Sequence, residues 1–179
     1  MSRQVIGPAD MNSQVYDVHN ALYTVANDHE ASINQLKANP VLSVTLQNPL
    51  SLPANASSVA YWNTSNPLAR VGTWATTDGG TIKVPEAGVY RFTMSSGGWS
   101  VTGLSKVRAW IITPTARGGG FYYPPLNEPA TNSFTLTARM NAGESFTAWV
   151  VSWWNGFRSD NGLGDDRDSW NLTVEKISA

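Results

Sequence analysis

The chain has no cysteine. That excludes a disulfide framework, a thiol nucleophile and any Cys-ligated zinc or iron centre. Charge is sparse: charged residues are 14% of the chain, against roughly 25% in an ordinary soluble domain. The 12 basic and 13 acidic residues are scattered, with no basic run, so a nucleic-acid phosphate backbone is not an expected partner. Histidine is nearly absent. His19 and His29 both fall in one helical stretch, so a Ser-His-Asp site would have to reach from that stretch into the rest of the chain. No window approaches the roughly 20 apolar residues of a membrane span, and the opening Met-Ser-Arg-Gln-Val-Ile-Gly-Pro lacks the apolar segment of a secretory signal. The expectation is a protein made in a cytoplasm, with no membrane insertion.

What fills the chain instead is Gly, Thr, Ser, Asn and 8 Trp, a composition that fits β architecture with extensive contacts between subunits. The most telling stretch is Phe146-Thr-Ala-Trp-Val-Val-Ser-Trp-Trp154. Strand side chains alternate between faces, which puts Thr147, Trp149, Val151 and Trp153 on one side. Phe146, Ala148, Val150, Ser152 and Trp154 fall on the other. Both faces are mostly apolar, so both call for cover. A second sheet of the same chain can cover one, and another copy of the protein the other.

Residues 1–10 read as a polar attachment segment. From Met11 a different period sets in: Met11, Val15, Val18, Leu22, Val25, His29, Ser32 and Leu36 are spaced 4-3-4-3-4-3-4. This is a heptad pattern with Val15, Leu22, His29 and Leu36 at a and Met11, Val18, Val25 and Ser32 at d. Asn20, Asn27 and Asn34 then face outward. Asn39-Pro40 stops the run. A helix over 11–38 would be about 42 Å long. The narrow stripe predicts a coiled-coil stalk over 11–39, with Val at d leaning away from a dimer. The alternative is a helix lying on its own domain.

From residue 40 onward the period drops to two. Leu42, Val44 and Leu46 alternate with Ser43 and Thr45. Short strands are expected at 59–62 and 71–75, with Asp78-Gly79-Gly80 turning the chain into Thr81–Val84. Further strands are expected at 89–95, 104–113, 133–140, 146–154 and 169–177, separated by loops at 116–131 and 155–168. Nine or so strands without a helical pattern predict a two-sheet sandwich over 40–179.

The β region resembles a known group. Thr81-Ile-Lys-Val-Pro-Glu-Ala-Gly-Val-Tyr-Arg-Phe92 is similar to the C1q/tumour-necrosis-factor signature, with Gly88, Tyr90 and Phe92 in its Gly-x-Tyr-x-Phe places. Phe134-Thr-Leu-Thr-Ala-Arg-Met-Asn-Ala-Gly-Glu144 and the closing Trp170-Asn-Leu-Thr-Val174 resemble later strands of that family. The resemblance covers residues 41–179 and implies a mostly β jelly roll that assembles as a homotrimer, with aromatic strands around the three-fold axis. A cysteine-free jelly roll behind an N-terminal coiled coil also looks like bacteriophage virion proteins: tail fibres, receptor-binding tips, and capsid-decoration or head-fibre proteins.

The chemistry-bearing candidates are few. In the loop Asp160-Asn-Gly-Leu-Gly-Asp-Asp-Arg-Asp168, the carboxylates Asp160, Asp165, Asp166 and Asp168 offer hard oxygen ligands suited to Ca²⁺. The alternative there is a solvated acidic loop. No other cofactor is implied. Phe121, Tyr122 and Tyr123, on Gly118-Gly-Gly and braced by Pro124-Pro125, can present flat surfaces to a sugar or a protein. Burial against a neighbouring subunit is the other reading. Trp62, Trp74 and Trp99 are placed in or near loops that could extend that surface. Met11, Val15, Val18, Leu22, Val25, Leu36, Trp149, Val151 and Trp153 are the expected contacts between copies. Asp78, Glu86, Glu128, Glu144 and Glu175 each fall alone in a turn or on a solvent-facing strand position, which speaks against the paired carboxylates of a glycosidase.

The sequence thus predicts a non-enzymatic, trimeric virion protein. Its stalk contacts other virion proteins, and its jelly-roll loops bind a host cell-surface glycan or protein. Capsid decoration is the alternative role, and a polysaccharide hydrolase the alternative class.

Overall fold

The computed structural model describes residues 13–126, 130–159 and 170–179. The chain divides between Ala38 and Asn39 into two units. The first contains the helix α1 (Ser13–Ala38). Its Val15, Val18, Leu22 and Val25 side chains are all exposed.

The second unit is a sandwich of thirteen described strands: β1 (Val41–Thr45), β2 (Ser51–Leu52), β3 (Ala56–Val59), β4 (Ala69–Val71), β5 (Ala75–Thr76), β6 (Thr81–Lys83), β7 (Gly88–Ser100), β8 (Lys106–Ile112), β9 (Arg117–Tyr122), β10 (Ala130–Met140), β11 (Ser145–Trp153), β12 (Phe157–Arg158) and β13 (Asn171–Ser178). One sheet runs β2-β12-β7-β13-β1-β4, with β10 on the other edge of β7. The second runs β5-β6-β11-β8-β9, with β3 also paired to β11. Every described pairing of strands is antiparallel. β13 lies in the interior of its sheet, with Val174 opposite both Leu42 and Phe92.

The alternation read from the sequence sets the core. Leu42 and Val44 of β1, Tyr90, Phe92 and Met94 of β7, and Leu172 and Val174 of β13 point inward and are fully buried. From the facing sheet come Val107, Ala109 and Ile111 of β8 and Phe146, Ala148 and Val150 of β11. The Phe92 and Phe146 rings meet edge to face between the sheets, centroids 5.0 Å apart at 72°. Each large apolar side chain so buried contributes about 1.5–3 kcal/mol.

Several expectations need correction. The segment 155–168, read as a loop, contains β12, and the strand read at 59–62 lies at Ala56–Val59 as β3. The segment 116–131, read as a loop, contains β9. Its Gly118-Gly-Gly run carries no side chains to alternate, yet the glycines let neighbours close in. A Cβ on Gly119 would lie 2.3 Å from the Trp110 Cβ, and one on Gly118 2.9 Å from Leu136 Cδ1. β7 does not stop at Ser95 but runs on to Ser100, because Gly98 leaves room for the Phe157 ring, 2.3 Å from where its Cβ would stand. The stretch 71–75 resolves into β4 and β5, which belong to different sheets. Trp154 does not share the buried face of Phe146. The strand ends at Trp153, and Trp154 turns outward at φ 69°.

Candidate functional site

Strands β7, β8, β9 and β11 all reach the same end of the sandwich, where three connections are knitted together. Val101 N donates to Gly156 O at 2.9 Å, Ser105 N to Pro124 O at 3.2 Å and Ser100 N to Pro125 O at 3.2 Å. The two prolines lack an N–H, so they join this frame through their carbonyls alone. Asn155 is the hub: its Nδ2 donates to Leu104 O at 2.7 Å, and its Oδ1 accepts from Thr102 Oγ1 at 3.1 Å. Beneath it, the buried hydroxyls of Ser105 and Ser152 reach the carbonyls of Trp153 and Asn155 at 2.7 Å each.

This frame displays apolar groups instead of hiding them. Trp154 is 57% exposed and Tyr123 50%, with their rings 6.1 Å apart and inclined at 35°. Val101, Leu104 and Leu126 are exposed around them. A bulky residue at positive φ is an outlier that the surroundings must hold in place, and here what is held is an exposed indole. Pro40, where the chain enters the sandwich, lies at the opposite end. Val41 pairs with Glu175, and Glu175 with Arg91, nine residues before Ser100 along β7, or about 30 Å at the rise of a strand.

The outward face of the β8–β11 sheet continues from this end. Register places Phe121 opposite Arg108, Arg108 opposite Val151, Lys106 opposite Trp153 and Trp110 opposite Trp149. Lys106 Nζ stands 4.7 Å from the Phe121 centroid and 5.6 Å from that of Trp153. Arg108 Cζ lies 5.1 Å from the Trp110 ring and 5.2 Å from Phe121. Such cation–π contacts are worth about 0.5–1 kcal/mol each at exposed sites.

Of the residues singled out in the sequence, Phe121 and Tyr123 come together at this end, exposed. Tyr122 does not join them. Its position on β9 points inward and it is 5% exposed, packed edge to face on Phe157 at 6.1 Å. Burial pushes its phenol pKa up, with a smaller opposing contribution from Ser96. The hydroxyl faces Ser96 but forms no hydrogen bond of ordinary geometry. Trp149, Val151 and Trp153 lie half-buried on the outward face of β11. Trp62 and Trp74 are buried in the core, and Trp99 is half-buried on β7, so none of the three extends the loop surface.

Met11 and the Asp160, Asp165, Asp166 and Asp168 positions lie outside the described residues, as does the Leu36 side chain. Among the described residues no group of three or more His, Asp or Glu is arranged to hold a metal ion, and no helix is long and apolar enough to cross a membrane. The described carboxylates of the sandwich have structural partners. Asp78 accepts from Gly80 N and Thr81 N. Glu144 accepts from the backbone and side chain of Asn141, which hold its carboxyl below the usual range. Glu86 pairs with Lys176 and Glu175 with Arg91.

Sequence reasoning missed Trp154, Leu104 and Val101 as surface groups, and Lys106 and Arg108 as partners of the aromatic rings. The Trp-Trp-Asn-Gly run at 153–156 was the available signal, since Asn-Gly after a strand marks a turn that can set the preceding residue free.

No protein-family model and no curated protein sequence matches the chain. Solved structures do. Murine APRIL at pH 5.0 is similar with a TM-score of 0.55 at 13% identity, over 78% of this chain and 99% of that one. Eiger TNF from S. frugiperda is similar with a TM-score of 0.50 at 9% identity, over 79% and 94%. The sandwich is thus a TNF/C1q-like jelly roll. Likeness at this identity establishes the fold and leaves function to the site.

Proposed function

We propose that this chain is a non-enzymatic binding protein, a homotrimeric component of a bacteriophage virion that attaches by its N-terminal helix and grips a host cell surface with the far end of its jelly roll. One observation carries the reading. The end of the sandwich opposite Pro40 holds Trp154 and Tyr123 exposed on a hydrogen-bonded frame. Exposed aromatic groups on a rigid support suit recognition of sugars or proteins. The three-copy assembly draws on the family-like jelly roll and on the apolar a/d stripe of α1, whose Val15, Val18, Leu22 and Val25 side chains are exposed in the single chain.

Light scattering on the full chain tests the assembly. Three copies are expected, and Leu22→Asp with Val25→Asp should reduce the mass or loosen the stalk. A monomeric full chain overturns the reading. Adsorption of the fluorescently labelled protein to a panel of bacterial cells tests the binding role: Trp154→Ala should abolish adsorption wherever the native protein adsorbs. Adsorption unchanged by that substitution removes the tip from the proposal.

A further inference from the structure

The outward face of the β6–β11–β8–β9 sheet has a charge pattern that the linear sequence conceals. Antiparallel partners directly opposite one another share a face, so register assembles it. Lys83 lies opposite Ser145, Arg117 opposite Ile112, Arg108 opposite Val151 and Lys106 opposite Trp153. Four of the 12 basic residues are gathered here, and none of the outward positions on these four strands is acidic. The rest of the chain carries the remaining eight basic residues against all 13 acidic ones. Among the described residues none of the four cations forms an ion pair; the ion pairs of the sandwich lie elsewhere, between Arg91 and Glu175 and between Lys176 and Glu86.

Aromatic rings accompany the cations. Lys106 stands between Phe121 and Trp153, and Arg108 between Phe121 and Trp110. The Arg108 Nε is buried without a hydrogen-bond partner, a costly state for a charged donor. Its remaining donors are the terminal guanidinium nitrogens. Lys106 and Arg108 rise from backbone positions about 7 Å apart on one strand face, which sets two like charges side by side where an anion would relieve their repulsion.

We propose that this face binds an acidic polysaccharide whose sugar units carry carboxylates. A ring and a charge alternating along the surface call for a ligand with a pyranose ring and an anion in each unit. Guanidinium pairs with carboxylate through two parallel hydrogen bonds, and the ring of Phe121, 48% exposed, offers an apolar surface to a sugar face. The track from Lys106 to Lys83 follows eight residues of β11, from Trp153 to Ser145. That is about 26 Å, enough for several units of a polymer. A single-stranded nucleic acid fits less well. Its bases need broad, open ring faces to stack on, and apart from Phe121 the rings of this face, Trp110, Trp149 and Trp153, are half-buried. The inference rests on the outer face alone and does not depend on the virion role proposed above.

The test is isothermal titration of the purified full chain with polygalacturonate, its methyl ester, poly(glycerol phosphate) and oligothymidylate. Polygalacturonate should bind at least tenfold tighter than the uncharged ester, and increasingly weakly as salt rises. Lys106→Gln and Arg108→Gln should each weaken it about tenfold, and Phe121→Ala should weaken it at unchanged salt dependence. Equal binding of the ester, or affinity unchanged in both charge variants, overturns the proposal. So does tighter binding of oligothymidylate, which would make the face a nucleic-acid surface, or of poly(glycerol phosphate), which would remove the need for a ring. A smaller solution mass for the folded Lys106→Gln or Arg108→Gln protein would mark the face as a contact between copies, and would also overturn it.

Discussion

Ser105 and Ser152 meet hydroxyl to hydroxyl at 3.2 Å in the interior of the sandwich, 47 residues apart in the chain. Two hydroxyl protons serve this cluster. By the shortest contacts, Ser105 donates to Trp153 O and Ser152 to Asn155 O, both at 2.7 Å. The turn that presents Trp154 is therefore fastened from below by two buried side chains, one from the start of β8 and one from β11. Ser105→Ala and Ser152→Ala should each cost about 1–3 kcal/mol, since each leaves a carbonyl short of a donor. Because the two share one cluster, the double variant should cost less than the sum. Urea unfolding of the three variants measures both.

Trp154 should respond to replacement according to backbone and not to size. Its φ of 69° favours glycine, so Trp154→Gly should be more stable than Trp154→Ala by about 1 kcal/mol, although both lose the Tyr123 ring contact. Equal stabilities would mean the turn relaxes once the indole is gone.

Two glycines should separate steric from conformational cost. Gly119→Ala places a Cβ 2.2 Å from Ala109 O and 2.3 Å from the Trp110 Cβ, and overpacking of this kind costs about 1–3 kcal/mol. It should also displace Trp110 and alter the tryptophan emission. Gly143→Ala meets nothing within 4 Å and has only a φ of +78° against it, so about 1 kcal/mol is expected with the emission unchanged.

Tyr122 should govern the alkaline limit. Its phenol pKa is raised in the folded state, chiefly by desolvation, so the neutral form is favoured on folding. The corresponding stability is fully present below the unfolded value of about 10 and is lost as pH rises above it. Tyr122→Phe should flatten that decline. At neutral pH it should be neutral or slightly stabilising, because the hydroxyl forms no hydrogen bond of ordinary geometry. A loss of several kcal/mol at neutral pH would show that the hydroxyl has a partner.

The parts of the fold legible in the sequence are those whose signal is local. Leu42 and Val44 of β1, Phe146 to Ser152 of β11 and Trp170 to Val174 all alternate as their burial does. β9 was invisible because its glycines carry no pattern of their own; their meaning lies in Trp110, Asn132 and Leu136, which close over them from other strands. Phe121 and Tyr123 were legible as a surface because their ring chemistry stands out in any context. Tyr122 was misassigned to that surface because a strand alternates where a loop need not. The cationic face could not be read at all. Lys83, Lys106, Arg108 and Arg117 become neighbours on one surface only through registers that no short window contains.

The course of β7 from Gly88 to Ser100 has a mechanical consequence. The chain enters the sandwich at Pro40, whose carbonyl accepts from Lys176 N at 3.0 Å, and the aromatic groups stand at the other end of the long strand. Tension between these two points runs along β1, β13 and β7, while their hydrogen bonds lie across the strands. The bonds are then loaded in shear and must give way together instead of opening one by one like a zipper. A molecule held at Pro40 and pulled at Trp154 meets the load along its strongest direction.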